Sequence, residues 1–159
     1  MTTSSTPASA WTGRHDGDGP EHARWHQAVQ VVRRGEADGD GPSGEVAEAG
    51  AAVPDPAADH VALLGFRSDE GVRRNRGRVG AADGPAALRR ALAPLALHGP
   101  LAHGEVQLHD LGDAETVGED LEAGQAAAAA LTAHGLDRAG SRLTVVLGGG
   151  HETAWSSYL

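Results

Sequence analysis

Val145-Val146-Leu147-Gly148-Gly149-Gly150-His151-Glu152 decides how this chain is read. With Leu143, the apolar run makes a strand, and the three glycines make a turn at its carboxyl end with His151 on it. Open α/β sheets bind ligands outside the carboxyl ends of their strands. Glycine lets backbone approach a bound ion, and neutral imidazole is a common metal ligand. The residues alone leave two readings of His151 open: a metal ligand, or a solvated or hydrogen-bonded side chain beside a turn.

Val61-Ala62-Leu63-Leu64-Gly65-Phe66 is a second continuous apolar run, as expected of a strand covered on both faces. A polar, Gly-rich loop follows. Asp83-Gly84-Pro85 reads as a helix start, with Asp83 as the cap and proline in the first turn. That helix should carry Ala86, Leu88, Leu92 and Ala93 and weaken at Pro94. Val106, Leu108 and Leu111 give another strand, ending at Gly112 and Asp113. Thr116 to Glu119 fits a capping box, which opens a helix through Leu121, the alanines at 126–130 and Leu131, stopped near Gly135.

Strand, helix, strand, helix, strand predicts a three-layer α/β/α domain with a parallel sheet of three strands. The three strand ends should then gather on one edge, with the loop after Phe66, the Asp113 turn and His151 around a crevice. The expected organisation is an N-terminal segment at 1–34 that is partly docked, a disordered linker at 35–59, and the α/β portion at 60–159. Trp11, Trp25, Val29, Val31 and Val32 could dock, whereas the linker is acidic and rich in Gly, Ala and Pro.

The chain has 159 residues, enough for one core. With no cysteine, neither disulfides nor thiolate chemistry is available. A formal net charge of −9 argues against general nucleic-acid binding. No run approaches the ~20 apolar residues that cross a bilayer, and no secretory signal opens the chain, so the expectation is a cytoplasmic protein off the membrane. All basic residues are arginines, and Arg67, Arg73, Arg74, Arg76 and Arg78 crowd the loop after Phe66.

Several collinear motifs resemble one family. Gly148-Gly149-Gly150-His151-Glu152 looks like the first metal motif of formimidoylglutamases, hydrolases of the arginase and agmatinase family. Gly65-Phe66, then Asp69-Glu70-Gly71-Val72-Arg73-Arg74-Asn75-Arg76-Gly77-Arg78-Val79-Gly80-Ala81-Ala82-Asp83-Gly84-Pro85, resembles their first long active-site loop and following helix. Asp110-Leu111-Gly112-Asp113 resembles the aspartate-bearing end of their second strand, and Trp11-Thr12-Gly13-Arg14-His15-Asp16 their N-terminal pattern. Glu152 stands where arginases and agmatinases usually carry Ser, which favours the formimidoylglutamase branch.

The resemblance implies an arginase-like fold, here truncated after its third strand. It also implies hydrolysis of N-formimidoyl-L-glutamate to L-glutamate and formamide, in histidine degradation, by a hydroxide bridging two Mn2+ ions, and a homo-oligomer for the complete enzyme. His151 is the implied metal ligand. The family's Asp-x-His-x-Asp cluster and later Asp pair have no counterpart in these residues, and two-metal catalysis needs such carboxylates. Asp110 and Asp113 could contact metal, but structural or supporting roles suit a strand end better. Arg74, Asn75, Arg76 and Arg78 are the candidate substrate-binding residues, because this small-molecule substrate is anionic while arginases and agmatinases take cationic guanidines. A solvated loop or a subunit contact is the competing reading. Gly148 to Gly150 lack the Lys-Ser/Thr of a phosphate loop and the dinucleotide spacing. A noncatalytic remnant that binds a partner subunit is the alternative function, and a nucleotide-binding module a weaker third.

Overall fold

The computed structural model describes residues 10–32 and 58–158. Four strands form one sheet: β1 (Val29–Val31), β2 (His60–Arg67), β3 (Gln107–Glu115) and β4 (Ser141–Gly148), in the order β1-β3-β2-β4. All three pairings are parallel. The helices are α1 (Trp25–Ala28), α2 (Glu70–Arg74), α3 (Gly84–Leu92) and α4 (Leu121–Asp137), with a 3-10 segment at His151–Ser157. Among the described residues no helix is long and apolar enough to cross a membrane.

Alternation along β2 builds the layers, because successive side chains on a strand point to opposite faces. Ala62 and Leu64 pack with Leu111 and with Leu131 of α4, while Phe66 packs with Ala114, Leu121 and Ala128. On the other face Leu63 packs with Trp11 and with Ala93 after α3, joined by Trp25, Val29 and Val61. The sheet is therefore sandwiched between α4 and a layer made of α3 and the N-terminal segment. The expected three-layer arrangement with a parallel sheet is the one observed.

The strand count differs from expectation. β1 adds a fourth strand, with Val29, Gln30 and Val31 in register with Leu108, His109 and Asp110. Three residues are too short to show a period, so only the neighbouring strand reveals them. The linker proposed at 35–59 lies outside the described residues except for Asp59 and the Ala58 preceding it.

Several boundaries also move. β3 runs on to Glu115, through a bulge in which Leu63 and Gly65 of β2 face Asp110 and Asp113. Gly112 takes φ +83° in the bulge, a conformation that an L side chain would strain. The capping box at Thr116 does not form. Thr116 N donates instead to the Arg67 carbonyl at 3.0 Å, which prolongs the strand ladder, and Gly118 turns at φ +60°. α4 starts four residues beyond Val117, at Leu121, where Asp120 accepts from Ala123 N at 3.0 Å. It runs past Gly135, whose missing Cβ admits Thr144 of β4. Asp83 makes no side-chain cap, because it ends a 3-10 turn leading directly into α3. The loop after β2 contains α2, a five-residue helix that a polar, Gly-rich segment does not announce.

Candidate functional site at the carboxyl edge of the sheet

Parallel pairing brings the three strand ends together. Phe66 of β2 is in register with Ala114 of β3 on one side and Gly148 of β4 on the other. The turns after these residues share one edge, as expected for a crevice outside the strand ends.

The Gly-rich turn packs directly on the loop between β2 and α3. A Cβ on Gly149 would lie 2.6 Å from the carbonyl carbon of Ala81, and one on Gly84 would lie 2.8 Å from Gly149 Cα. Real Cβ atoms do not approach backbone that closely, so these glycines are required by the contact. Glu152 closes the same seam: a Cβ on Gly71 would lie 2.6 Å from its Cδ, and Gln125 Nε2 donates to its backbone carbonyl at 3.1 Å.

His151 begins the 3-10 segment and is exposed. A groove of about 460 Å³ opens beside it, lined by Val146, Gly148, Gly149, Gly150, His151, Thr153, Ala154 and Ser157. No arginine of the α2 loop lines this groove. Among the described residues no three His, Asp or Glu side chains are grouped to hold a metal ion. The residues present therefore do not fit a binuclear metal centre, and His151 supplies one candidate ligand at most.

The loop after Phe66 is closed on itself. Asp69 Oδ1 accepts from Gly80 N at 2.8 Å and from Ala82 N at 3.1 Å, and these amides hold its carboxyl below the ordinary range. Arg74 is paired with Glu70 within the loop and with Glu122 of α4, and Asn75 Nδ2 donates to the Gly71 carbonyl at 3.1 Å. The side chains of Arg76 and Arg78 are exposed and make no hydrogen bond or ion pair among the described residues.

Asp110 and Asp113 are held by a residue that the sequence did not single out. Arg89 of α3, fully buried, donates through Nε to Asp110 Oδ2 at 2.7 Å and through Nη1 to Asp113 Oδ1 at 2.7 Å. Trp11 Nε1 donates to Asp110 Oδ2 at 2.7 Å, which ties the N-terminal segment to the same carboxylate. Burial pushes the Asp113 carboxyl above the ordinary range, against the lowering effect of Arg89. With their oxygens engaged this way, both aspartates serve the structure of the strand end. A signal existed in the spacing: two strand-end carboxylates need a buried cation, and an arginine on the facing helix can supply it.

A family profile described as the arginase family matches residues 59–158. Formimidoylglutamases from Nocardia farcinica and Rhodococcus jostii are 46% and 44% identical to this chain over 153 residues. Those alignments cover 96% of this chain and 41% and 39% of the relatives. One from Chromobacterium violaceum is 43% identical over 150 residues, covering 94% of this chain and 40% of the relative. The chain spans about two fifths of the length of the curated relatives it matches.

Proposed function

This chain belongs to the arginase family, and from that premise we propose that it is part of a formimidoylglutamase. The reaction is hydrolysis of N-formimidoyl-L-glutamate to L-glutamate and formamide, a cytoplasmic step of histidine degradation. The observation that carries this reading is the seam between two loops, in which the arginine-bearing loop is packed through Gly71, Gly84 and Ala81 onto the turn that presents His151. A cationic loop held against that turn suits a substrate with two carboxylates and repels a guanidinium.

The chain's own residues would bind and orient. The loop that carries Arg74, Asn75, Arg76 and Arg78 would read the anion, and among the described residues His151 is the one metal ligand this chain would contribute. Manganese, two ions by the family resemblance, would need further ligands. The complete enzyme would be a homo-oligomer. A noncatalytic fragment that binds a partner subunit is the alternative, favoured by the lack of a metal-holding cluster among the described residues.

A chimera tests the proposal. Residues 59–158 would replace the matching part of the Nocardia farcinica relative, and formamide release from N-formimidoyl-L-glutamate would be compared with turnover of arginine and agmatine. Formamide release with no turnover of the guanidines is expected. A folded chimera that prefers a guanidine, or that is inert where the relative is active, sinks the reading.

A further inference from the structure

The guanidinium of Arg74 is almost fully committed. Its Nε donates to Glu70 Oε1 at 2.9 Å, its Nη1 to Glu122 Oε1 at 2.6 Å, and its Nη2 to Glu122 Oε2 at 3.1 Å and to the Glu119 carbonyl at 2.9 Å. An arginine has five N–H donors in a fixed fork, so a single one is left. Reading a carboxylate in the bidentate way needs two parallel donors on one side of the fork. Arg74 has no such pair to offer.

What those bonds join is informative. Glu70 is 6% exposed and lies at the start of α2, while Glu119 and Glu122 belong to the entry and first turn of α4. Arg73 doubles the link, reaching Glu70 at 2.5 Å and Glu119 at 3.6 Å. The Arg74 guanidinium holds the Glu122 carboxyl down at about 2, so the pair stays charged at neutral pH. An isolated surface pair contributes little, but a bidentate one within a network, anchored on a buried carboxylate, is the better case.

Beyond the clamp the helix ends at once. Arg76 N donates to the Arg73 carbonyl at 2.9 Å and Gly77 N to the Val72 carbonyl at 2.8 Å, with Arg76 at φ +56°. These are the two bonds of a Schellman turn, which usually places glycine at the left-handed position. Arg76 and Arg78 follow on the exposed tip.

We propose that Arg74 is a positioning residue that clamps α2 to the first turn of α4, leaving Arg76 and Arg78 as the side chains that contact the anionic substrate. The assignment of the tip rests on the carboxylate reading given under Proposed function; the clamp does not. Two readouts on the 159-residue chain separate them: amide exchange across residues 70–78, and an NMR titration with L-glutamate as the probe.

Arg74→Ala and Glu122→Ala should each raise exchange across 70–78 by about threefold or more, and the double variant should add nothing further, because both break one link. Arg76→Ala or Arg78→Ala should leave exchange unchanged and weaken L-glutamate binding by about tenfold. Glu122→Ala with parental exchange overturns the clamp. So does Arg74→Ala that weakens L-glutamate while exchange stays parental, since Arg74 would then be the reader. A parent chain that shows no L-glutamate shifts overturns the assignment of the tip together with the carboxylate reading, while exchange still decides the role of Arg74.

Discussion

Gly149 and Ala81 meet backbone to backbone: a Cβ on Gly149 would lie 2.6 Å from the Ala81 carbonyl carbon and 2.7 Å from its Cα. Neither neighbour is the end of a flexible side chain, so nothing can yield cheaply. Gly149→Ala should therefore push the loop that begins at Asp69 away from the His151 turn, at a cost of about 2 kcal/mol or more. Urea unfolding would read the loss, and exchange at residues 80–84 the separation. A variant as stable as the parent, with parental exchange, would show that the seam is loose.

Arg89 should be the most sensitive polar side chain of the core. It is 0% exposed and pairs with both Asp110 and Asp113. Removing one partner of a buried pair leaves an uncompensated charge, and Arg89→Met should destabilise by about 3–5 kcal/mol. Exposed Arg90, next in sequence, should tolerate the same change within ~0.5 kcal/mol. Equal effects at the two positions in chemical denaturation would refute the burial argument.

The Trp11 indole bonds the same Asp110 carboxylate and stacks on Trp25 with centroids 6.4 Å apart. Trp11→Phe keeps an aromatic body and deletes the donor, which should cost about 1–2 kcal/mol. The loss should be much smaller in an Arg89→Met background, where the carboxylate has already lost its other main partner. Strictly additive losses would mean that the N-terminal segment docks independently of the Asp110 cluster.

A pH dependence follows from the other end of the sheet. His109 is buried, stacked on His60 at 4.4 Å, and its Nε2 lies 2.8 Å from Gln107 Oε1. Burial first, then the charges of His60 and Arg138, push its pKa down to about 4 from 6.5. A folded pKa below the unfolded one means that the unfolded chain takes up the proton first as pH falls. Stability should therefore be full above about pH 6.5 and decline between there and pH 4, by an amount on the order of 2 kcal/mol. His109→Gln should flatten that slope in thermal melts recorded from pH 7 to 4.5. An unchanged slope would assign the acid sensitivity elsewhere.

Manganese retention is a separate expectation. With His151 as the one candidate ligand among the described residues, the 159-residue chain should hold far less than one equivalent after dialysis, and His151→Ala should not change the amount. Metal analysis giving near-stoichiometric manganese in the parent and none in His151→Ala would overturn this and reveal a site built differently.

Sequence alone determined the parts of this protein whose causes are local. The runs at 61–66 and 143–147 read as strands, of which β2 is buried while β4 leaves Leu143 exposed, and Gly84-Pro85 with Pro94 bounded a helix. From the order of strands and helices came the parallel sheet and the shared edge at Phe66 and Gly148, although β3 runs past the expected turn at Asp113 to Glu115. Collinear motifs carried the arginase-family resemblance. The tertiary structure decided what depends on partners distant in sequence. β1 exists because Val29 to Val31 find Leu108 to Asp110. Arg89 and Arg90 look alike in sequence, yet one is buried because Asp110 and Asp113 wait for it across 21 and 24 residues. Arg74 is engaged because Glu122, 48 residues on, comes within 2.6 Å. A strand's period is written in neighbouring residues, whereas the neutralisation of a buried charge is set by whichever groups the fold brings within hydrogen-bonding distance.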